Sequence, residues 1–132
     1  MKVFLDANVL CSASNANSPI AELIRLLLDR RQLLTSNLAA EEARRNVYQK
    51  RPAWTEGLKA VLSRIEIVPA VSSPLPVTLA PKDVHILSTA IREKCTHLAT
   101  GDKTDFAHLY GKTVEGVMVI TLLQLAELAA KQ

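Results

Sequence analysis

The apolar residues of this chain follow two different spacings, which alternate along its length. Short apolar runs that are typical of buried strands cover residues 2–5, 33–35, 65–68, 97–100 and 117–120. Between these runs the apolar residues recur three and four positions apart, which indicates amphipathic helices that pack on a sheet. Helices are predicted from the Ser18-Pro19 start onward and over residues 38–49, 55–63, 82–93, 103–109 and 122–131.

The alternation of strands and helices predicts an α/β fold. We expect a three-layer α/β/α sandwich whose central sheet is mostly parallel and has about five strands. Residues 69–81 contain four prolines, but a stretch of this length between apolar elements is more typical of a surface loop than of a linker. A chain of 132 residues is therefore predicted to form one domain, residues 1–132.

Acidic residues stand where a parallel sheet would bring them together. Asp6-Ala7-Asn8 is predicted to end the first strand in a turn, and Asp102 follows the fourth strand. Glu42 and Asp83 lie near the starts of predicted helices, and Asp105 lies one turn beyond Asp102. Because parallel strands end and crossover helices begin at the same sheet edge, we expect these five acids around one crevice.

Each acid also has a purely structural interpretation. Asp102 and Asp105 resemble a helix-capping pair, and Asp83 is a favourable first-turn acid. A purely structural role is harder to assign to the five acids together, because two like charges about 5 Å apart repel by about 3 kcal/mol at an effective dielectric constant of about 20. A cation relieves that repulsion, and a ligand set made only of carboxylate oxygens favours Mg²⁺ or Mn²⁺ over zinc.

Other side chains near the predicted crevice suit a substrate that contains phosphate. The basic residues expected around it are Arg44, Arg45, Lys82 and Lys103. For each of them alone, a solvated surface position is the alternative interpretation. Thr100 and Asn8 are expected to hold a water or to orient a ligating carboxylate.

The composition narrows the class of protein. The formal net charge of +3 is compatible with a polyanionic partner, whereas an aromatic content of 4% argues against a base-stacking platform. Asp6 and Asn8 interrupt the one candidate apolar stretch for a signal sequence, and no later apolar run is long enough to span a bilayer. A cytoplasmic location without a membrane partner is expected.

The remaining reactive residues give no alternative site. The two cysteines, Cys11 and Cys95, are interpreted as free thiols of a reducing compartment. The three histidines, at positions 85, 97 and 108, match no zinc-ligand spacing. Trp54 is expected in a loop, where exposed tryptophan often forms a protein interface.

Four motifs of this chain resemble, in order, those of the PIN-domain ribonucleases. Residues 3–10, an apolar strand followed by Asp-Ala-Asn-Val-Leu, are similar to the opening motif of the family. The second motif, at residues 36–47, places an acid early in a helix. The third covers residues 82–90, and the fourth is Thr-Gly-Asp-Lys-Thr-Asp-Phe at 100–106. The first and fourth motifs are the more specific ones.

The resemblance implies a Mg²⁺- or Mn²⁺-dependent endoribonuclease with a parallel sheet between helical layers. By position, the residues that would form its acidic core are Asp6, Glu42, Asp83 and Asp102, with Asp105 as an accessory ligand. Asp6 and Asp102 would be the central ligands for metal-assisted hydrolysis. Glu41 is an alternative to Glu42, which is preferred because an inward-facing residue follows it.

The resemblance also implies partners. Many small single-domain members are toxins of bacterial toxin–antitoxin pairs, so an RNA substrate, an antitoxin protein and a homodimer are expected.

Two other functions remain open at this point. One is a phosphatase of the haloacid-dehalogenase type that uses Asp6 as nucleophile, although the second Asp of that pattern is replaced by Asn8, which cannot act as an acid. The other is an inactive PIN-like module that binds RNA or a protein, although all the acids expected of an active member are present.

Overall fold

A six-stranded sheet crosses the computed structural model, which describes residues 1–131. The strands are β1 Lys2–Leu5, β2 Gln32–Ser36, β3 Glu66–Val68, β4 His97–Ala99, β5 Thr113–Val114 and β6 Val117–Ile120. They lie in the order β3-β2-β1-β4-β6-β5, and every neighbouring pair is parallel except β5 and β6. The predicted mostly parallel sheet is confirmed, but it has six strands instead of about five.

In the described part of the chain, six α-helices and three short 3-10 helices surround the sheet. The α-helices are α1 Ala7–Ala13, α2 Pro19–Leu28, α3 Asn37–Lys50, α4 Thr55–Leu62, α5 Val84–Arg92 and α6 Leu122–Ala130. The 3-10 helices are Pro52–Trp54, Pro81–Asp83 and Ala107–Leu109. Most of the predicted helices are therefore present, and α1 is an addition.

The sheet separates two hydrophobic cores, as a three-layer sandwich requires. In β1, Val3 and Leu5 pack on one face and Phe4 on the other, because successive side chains of a strand point to opposite faces. The first core includes buried apolar residues from α1, α2 and α4, and the second includes buried apolar residues from α5. The three-layer α/β/α arrangement is thus confirmed.

Helix α1 begins where the sequence predicted only a turn. The Asp6 carboxylate caps the helix by accepting a hydrogen bond from the Ala7 backbone N–H at 2.7 Å. Helix α4 then approaches the end of α1 so closely that a Cβ at Gly57 would lie 1.9 Å from the Ser14 carbonyl oxygen. Gly57 is therefore required by the close packing of these two helices.

Two further differences from the prediction have local causes. Glu115 and Gly116 have φ angles of +49° and +87°, which form a tight turn and allow the unpredicted β5 to pair antiparallel with β6. The helix predicted over residues 103–109 is instead a turn followed by the Ala107–Leu109 3-10 helix. The cause is Asp102, whose Oδ1 binds the backbone N–H groups of Thr104 and Asp105.

The strand order reverses between β1 and β4, and this point fixes the location of the crevice. On one side the chain proceeds outward from β1 through β2 to β3, and on the other it goes from β4 to the edge strand β5 and returns through β6, which lies next to β4. Ligands of open α/β sheets bind outside the carboxyl ends of the strands at such a reversal. Within residues 1–131, no helix has both the length and the apolar character needed to span a membrane.

Candidate active site

Asp6 lies at the carboxyl end of β1, directly at the reversal of strand order. Its side chain is buried, with 5% of the residue exposed. Its Oδ1 accepts the Ala7 N–H, and its Oδ2 accepts a hydrogen bond from the Thr100 hydroxyl at 2.9 Å. Its own backbone N–H donates to the Ala99 carbonyl at 3.1 Å, which continues the β1–β4 ladder. Both carboxylate oxygens are therefore held in fixed positions by neutral donors.

Thr100 joins the two halves of the crevice. Its fully buried hydroxyl donates to Asp6 and accepts the Asp102 backbone N–H at 3.1 Å. It also accepts the Asn8 side-chain amide, with 3.3 Å between Nδ2 and Oγ1. The Asn8 Oδ1 in turn accepts the Gly101 backbone N–H at 2.8 Å. Thr100 and Asn8 thus orient the segments that carry Asp6 and Asp102.

Asp102 is fixed by the turn that follows β4. Its Oδ1 accepts the backbone N–H groups of Thr104 and Asp105, each at 2.8 Å. The Tyr110 hydroxyl contacts the same turn and donates to the backbone carbonyls of Thr100, at 3.1 Å, and Asp102. Sequence reasoning missed Tyr110, because only the fold brings the residue after the Ala107–Leu109 3-10 helix back to the end of β4.

Three aspartates meet on the other side of the crevice. One carboxylate oxygen each from Asp83, Asp102 and Asp105 lies within 4.8 Å of the others. The ammonium group of Lys82 bridges two of these acids, with Nζ 2.5 Å from Asp105 Oδ2 and 3.1 Å from Asp83 Oδ2. We call Asp83, Asp102 and Asp105 the acidic group. Asp105, which the sequence interpretation treated as an accessory ligand, is therefore one of its three members.

The Lys82 ammonium and burial shift the pKa values of this group in different directions. Hydrogen bonds to Asp105 and then Asp83 raise the pKa of Lys82. Hydrogen bonding to Lys82 lowers the pKa of the Asp105 carboxyl. Asp83 is 8% exposed, and burial raises the pKa of its carboxyl although Lys82 opposes the shift. The acidic group already binds one cation, which is supplied by the chain itself.

Within residues 1–131, no cationic side chain forms an ion pair with Asp6, and the pKa of Asp6 is raised from 3.8 to about 6. Burial is the main cause, while the hydrogen bonds from Thr100 and Ala7 oppose it. The negative charges of Glu42 and Asp83 raise the pKa further, so both acids lie within electrostatic range of Asp6. Glu41, the alternative to Glu42, instead forms an exposed ion pair with Arg44 at 3.6 Å between Oε2 and Nη1.

Of the four predicted cations, Lys82 contacts the acids, whereas Arg44, Arg45 and Lys103 make no bond to the acidic group within residues 1–131. Arg44 and Arg45 line a pocket between α3 and α4, together with residues of both helices. Lys103 is exposed on the turn next to Asp102. Among residues 1–131, no hydrogen bond or ion pair joins any of these three side chains to the acidic group.

The donor set fits a hard divalent cation. The three clustered ligand atoms are carboxylate oxygens, and within residues 1–131 no histidine or cysteine belongs to a group of this kind. Mg²⁺ and Mn²⁺ prefer such oxygen ligands, whereas structural zinc sites use sulfur and nitrogen. Burial and, to a smaller extent, the charges of Glu42 and Asp83 raise the pKa of Asp6, and a cation bound nearby would oppose this shift.

Comparison with known proteins assigns the family. The PIN domain family model matches residues 3–112. This chain belongs to the PIN domain family. The matched segment contains all four motifs singled out in the sequence, as well as Asp6, Glu42, Asp83, Asp102 and Asp105. The resemblance to the PIN family is thereby confirmed, and no curated protein sequence matches the chain.

Solved structures of PIN-like fold resemble this chain at low identity. VapBC2 from Rickettsia felis, solved bound to a DNA fragment from their promoter, is 20% identical, with a TM-score of 0.69 over 92% of this chain and 98% of that chain. PAE2754 from Pyrobaculum aerophilum is 20% identical, with a TM-score of 0.67 over 100% and 97% of the two chains. A PilT N-terminus domain protein from the archaeon Sulfolobus solfataricus P2 is 16% identical, with a TM-score of 0.56 over 100% and 96%. These likenesses show the fold.

Proposed function

We propose that this PIN-domain protein is a Mg²⁺- or Mn²⁺-dependent endoribonuclease that hydrolyses phosphodiester bonds of RNA. Its acidic core would be Asp6, Glu42, Asp83 and Asp102, with Asp105 as an accessory ligand. The observation that carries the proposal is the meeting of three carboxylate oxygens within 4.8 Å at the carboxyl edge of the sheet, beside the buried Asp6. Membership of the PIN family supports the choice of a nuclease.

The chain's own residues would bind the metal and position the substrate. When bound, a divalent metal lowers the pKa of a coordinated water and stabilises negative charge on phosphate oxygens. Asp83, Asp102 and Asp105 would hold the ion, and Asp6 would complete the site from the β1 side. Thr100 keeps Asp6 and the Asp102 backbone at a fixed separation through its hydroxyl. Metal ligands in proteins are commonly oriented in this way, by hydrogen bonds from residues that do not contact the metal.

The cationic side chains would act on the RNA backbone. Arg44, Arg45 and Lys103 are exposed and would contact phosphates beyond the scissile one. Lys82 contacts two of the acids, so its ammonium would have to move aside, toward a substrate phosphate, when an ion is bound.

We further propose that the protein is the toxin of a toxin–antitoxin pair, with a cytoplasmic location, an antitoxin partner and a homodimeric state. VapBC2 from Rickettsia felis, a neighbour in fold, supports the antitoxin partner. A small DNA-binding protein encoded in the neighbouring reading frame is expected. Co-purification of that protein with this chain, together with loss of RNA cleavage in the complex, would test the assignment.

The other two functions are not favoured. A phosphatase of the haloacid-dehalogenase type needs an acid two residues after its nucleophile, but Asn8 occupies that position and both ends of its amide make hydrogen bonds within the protein. An inactive module would not need Asp6 buried without a nearby balancing cation.

RNA cleavage by the purified protein tests the proposal. Pooled cellular RNA is incubated with the protein in Mn²⁺ or in EDTA, and the new ends are mapped. Discrete cleavage in Mn²⁺ that is lost both in EDTA and in the Asp102→Asn variant is expected. Cleavage of equal extent in EDTA, or by the variant, would contradict it.

A further inference from the structure

A second pocket lies between α1 and the second half of α3. It has a volume of about 460 Å³, within the usual range of small-ligand sites. Its lining includes side chains from α1, from α3 and from the turn after α3, namely Asn8, Cys11, Asn46, Lys50, Arg51 and Trp54. Two amides, two cations and the only tryptophan of the chain therefore face one cavity.

One residue, Asn8, connects this pocket to the segment that carries Asp102. Asn8 lines the pocket and also makes the hydrogen bonds to Thr100 and Gly101 described above. Glu42, Asn46 and Lys50 are spaced four residues apart, so they follow one face of α3 from the acids toward the pocket. A nucleic-acid chain bound along this face of α3 would therefore pass from Glu42 to the cavity.

The charges around Cys11 support that placement. Burial is the main cause that raises the pKa of the Cys11 thiol, and the Glu42 and Asp6 carboxylates raise it further. The Lys50 ammonium lowers it. Cys11, one of the lining residues, thus lies within electrostatic range of two of the proposed catalytic acids and of Lys50.

The polar groups of the pocket have few partners within the protein. Among residues 1–131, the Asn46 amide and the Lys50 ammonium make no hydrogen bond and no ion pair. The Arg51 guanidinium has one described contact, with the Trp54 ring, whose centroid lies 5.5 Å from Cζ. Trp54 itself is half-buried and packs on the core, and the Arg51–Trp54 pair forms one wall of the pocket.

We propose that this pocket binds one nucleobase of single-stranded RNA, in the nucleotide next to the scissile phosphate. The inference rests on the proposed ribonuclease function. The Arg51–Trp54 wall offers a stacking surface for a single base, and the Asn46 amide offers a donor and an acceptor to its edge. Lys50 is placed to contact a flanking phosphate. A low aromatic content is compatible with one such position, although not with an extended stacking platform.

Intrinsic fluorescence tests the proposal without any catalysis. Trp54 is the only tryptophan, so its emission reports directly on the pocket. The protein in EDTA is titrated with a single-stranded RNA tetranucleotide and with an abasic ribose-phosphate tetramer of equal charge. Base stacking predicts quenching by the tetranucleotide and an affinity at least about fivefold higher than that of the abasic tetramer. Equal affinities, with no base-dependent quenching, would overturn the proposal.

Variants of α3 place the effect in the pocket. Asn46→Ala is expected to weaken binding of the tetranucleotide at least about threefold and to leave binding of the abasic tetramer unchanged, because only the base needs the amide. Lys50→Ala is expected to weaken both ligands. Gln49→Ala is the matched control, since residue 49 is exposed on the same helix and does not line this pocket. If Asn46→Ala weakens tetranucleotide binding no more than Gln49→Ala does, the proposal is contradicted. If an acidic peptide occupies the pocket and the RNA tetranucleotide does not, the pocket belongs to a protein partner.

Failure of this proposal can be told apart from failure of the ribonuclease assignment. If the wild type cleaves RNA but binds the RNA tetranucleotide and the abasic tetramer equally well, only the base-binding proposal is overturned. An absence of cleavage under all metal conditions would overturn the ribonuclease function, while the titration in EDTA still decides whether the pocket binds a base.

Discussion

The two sides of the crevice hold their acids in opposite ways. On the β1 side, Asp6 is buried and receives hydrogen bonds only from neutral groups, the Ala7 N–H and the Thr100 hydroxyl. On the other side, Asp83 and Asp105 share the exposed ammonium of Lys82. The pKa of Asp6 is accordingly raised by burial, whereas that of Asp105 is lowered by its hydrogen bond to Lys82.

This difference implies that the Asp6 side and the Lys82 side of the crevice affect metal binding in different ways. A buried and unbalanced carboxylate raises the free energy of the metal-free protein, so a cation gains most by binding next to Asp6. On the other side, one negative charge is already balanced by Lys82, whose ammonium lies on a flexible stem and can be exchanged for an ion. Ion binding would therefore be driven from the Asp6 side and regulated from the Lys82 side. Four predictions follow, from the largest expected effect to the smallest.

Removing one charge from either proposed central ligand should abolish cleavage. Asp6→Asn and Asp102→Asn each keep the side-chain shape, but each is expected to lower the RNA cleavage rate by about a hundredfold or more, because loss of a metal ligand costs several kcal/mol of transition-state stabilisation. The rate is measured with a labelled RNA in Mn²⁺, and circular dichroism confirms the fold. Full activity in either variant would show that the acids do not bind the catalytic ion.

Thr100 should matter for metal binding although it carries no charge. Thr100→Val removes the hydroxyl between Asp6 and Asp102 and is expected to weaken Mn²⁺ affinity or activity about 10- to 100-fold, with rescue by Thr100→Ser. Thr35→Val is the matched control, since that buried hydroxyl donates to the Leu5 carbonyl at 2.8 Å. Both Val variants are expected to lose about 1–3 kcal/mol of unfolding free energy. Equal effects on Mn²⁺ affinity would make Thr100 a purely structural residue.

The stability of the metal-free protein should respond with opposite signs on the two sides. Because folding raises the pKa of Asp6, ionisation of Asp6 opposes folding, and this penalty grows between about pH 4 and about pH 6 and stays constant above. Asp6→Asn is therefore expected to raise the free energy of unfolding by up to about 3 kcal/mol at pH 7.5, and the gain should vanish near pH 4.

Asp105→Asn is the variant to compare with Asp6→Asn. It removes an ion-pair partner of Lys82 and should leave Tm unchanged or slightly lower, since exposed ion pairs contribute little. Thermal unfolding in EDTA at both pH values measures the two variants. A decrease in Tm for Asp6→Asn at pH 7.5 would contradict the view that this side stores unbalanced charge.

Lys82 should compete with the ion. Lys82→Ala frees the carboxylates of Asp83 and Asp105 and is expected to raise Mn²⁺ affinity about two- to fivefold, the size of a weak exposed interaction. Lys103→Ala removes the same charge from a neighbouring exposed position that makes no ion pair in the described structure. A larger gain for Lys103→Ala than for Lys82→Ala would show that the effect is a general one of net charge.

Much of this architecture could be predicted from the sequence because spacing and position report directly on it. Alternating apolar runs predicted the parallel sheet, and the rule that strands end at one edge predicted that acids from distant segments would meet. The starts of α2 and α6 follow from ordinary caps, Ser18 and Thr121.

The features that were missed depend on competition between local interactions. Asp6-Ala7-Asn8 is compatible with a turn or with the first turn of a helix, and only the burial of Val9, Leu10 and Ala13 decides for α1. The turn after Asp102 is decided by hydrogen bonds of one carboxylate oxygen. The ion pairs of Lys82 and the contacts of Tyr110 arise from tertiary packing, which the local sequence does not specify. The roles of Arg44, Arg45 and Lys103 stay predictions.

Equilibrium binding of Mn²⁺ tests the central claim most directly, because it isolates the acidic crevice from any choice of RNA. Metal-free wild type and Asp102→Asn are titrated with Mn²⁺ at pH 7.5, and free Mn²⁺ is followed by its paramagnetic resonance signal. The wild type is predicted to bind Mn²⁺ saturably, and the variant is predicted to lose this binding while it remains folded. Equal Mn²⁺ binding by both proteins would contradict a metal centre built around Asp102.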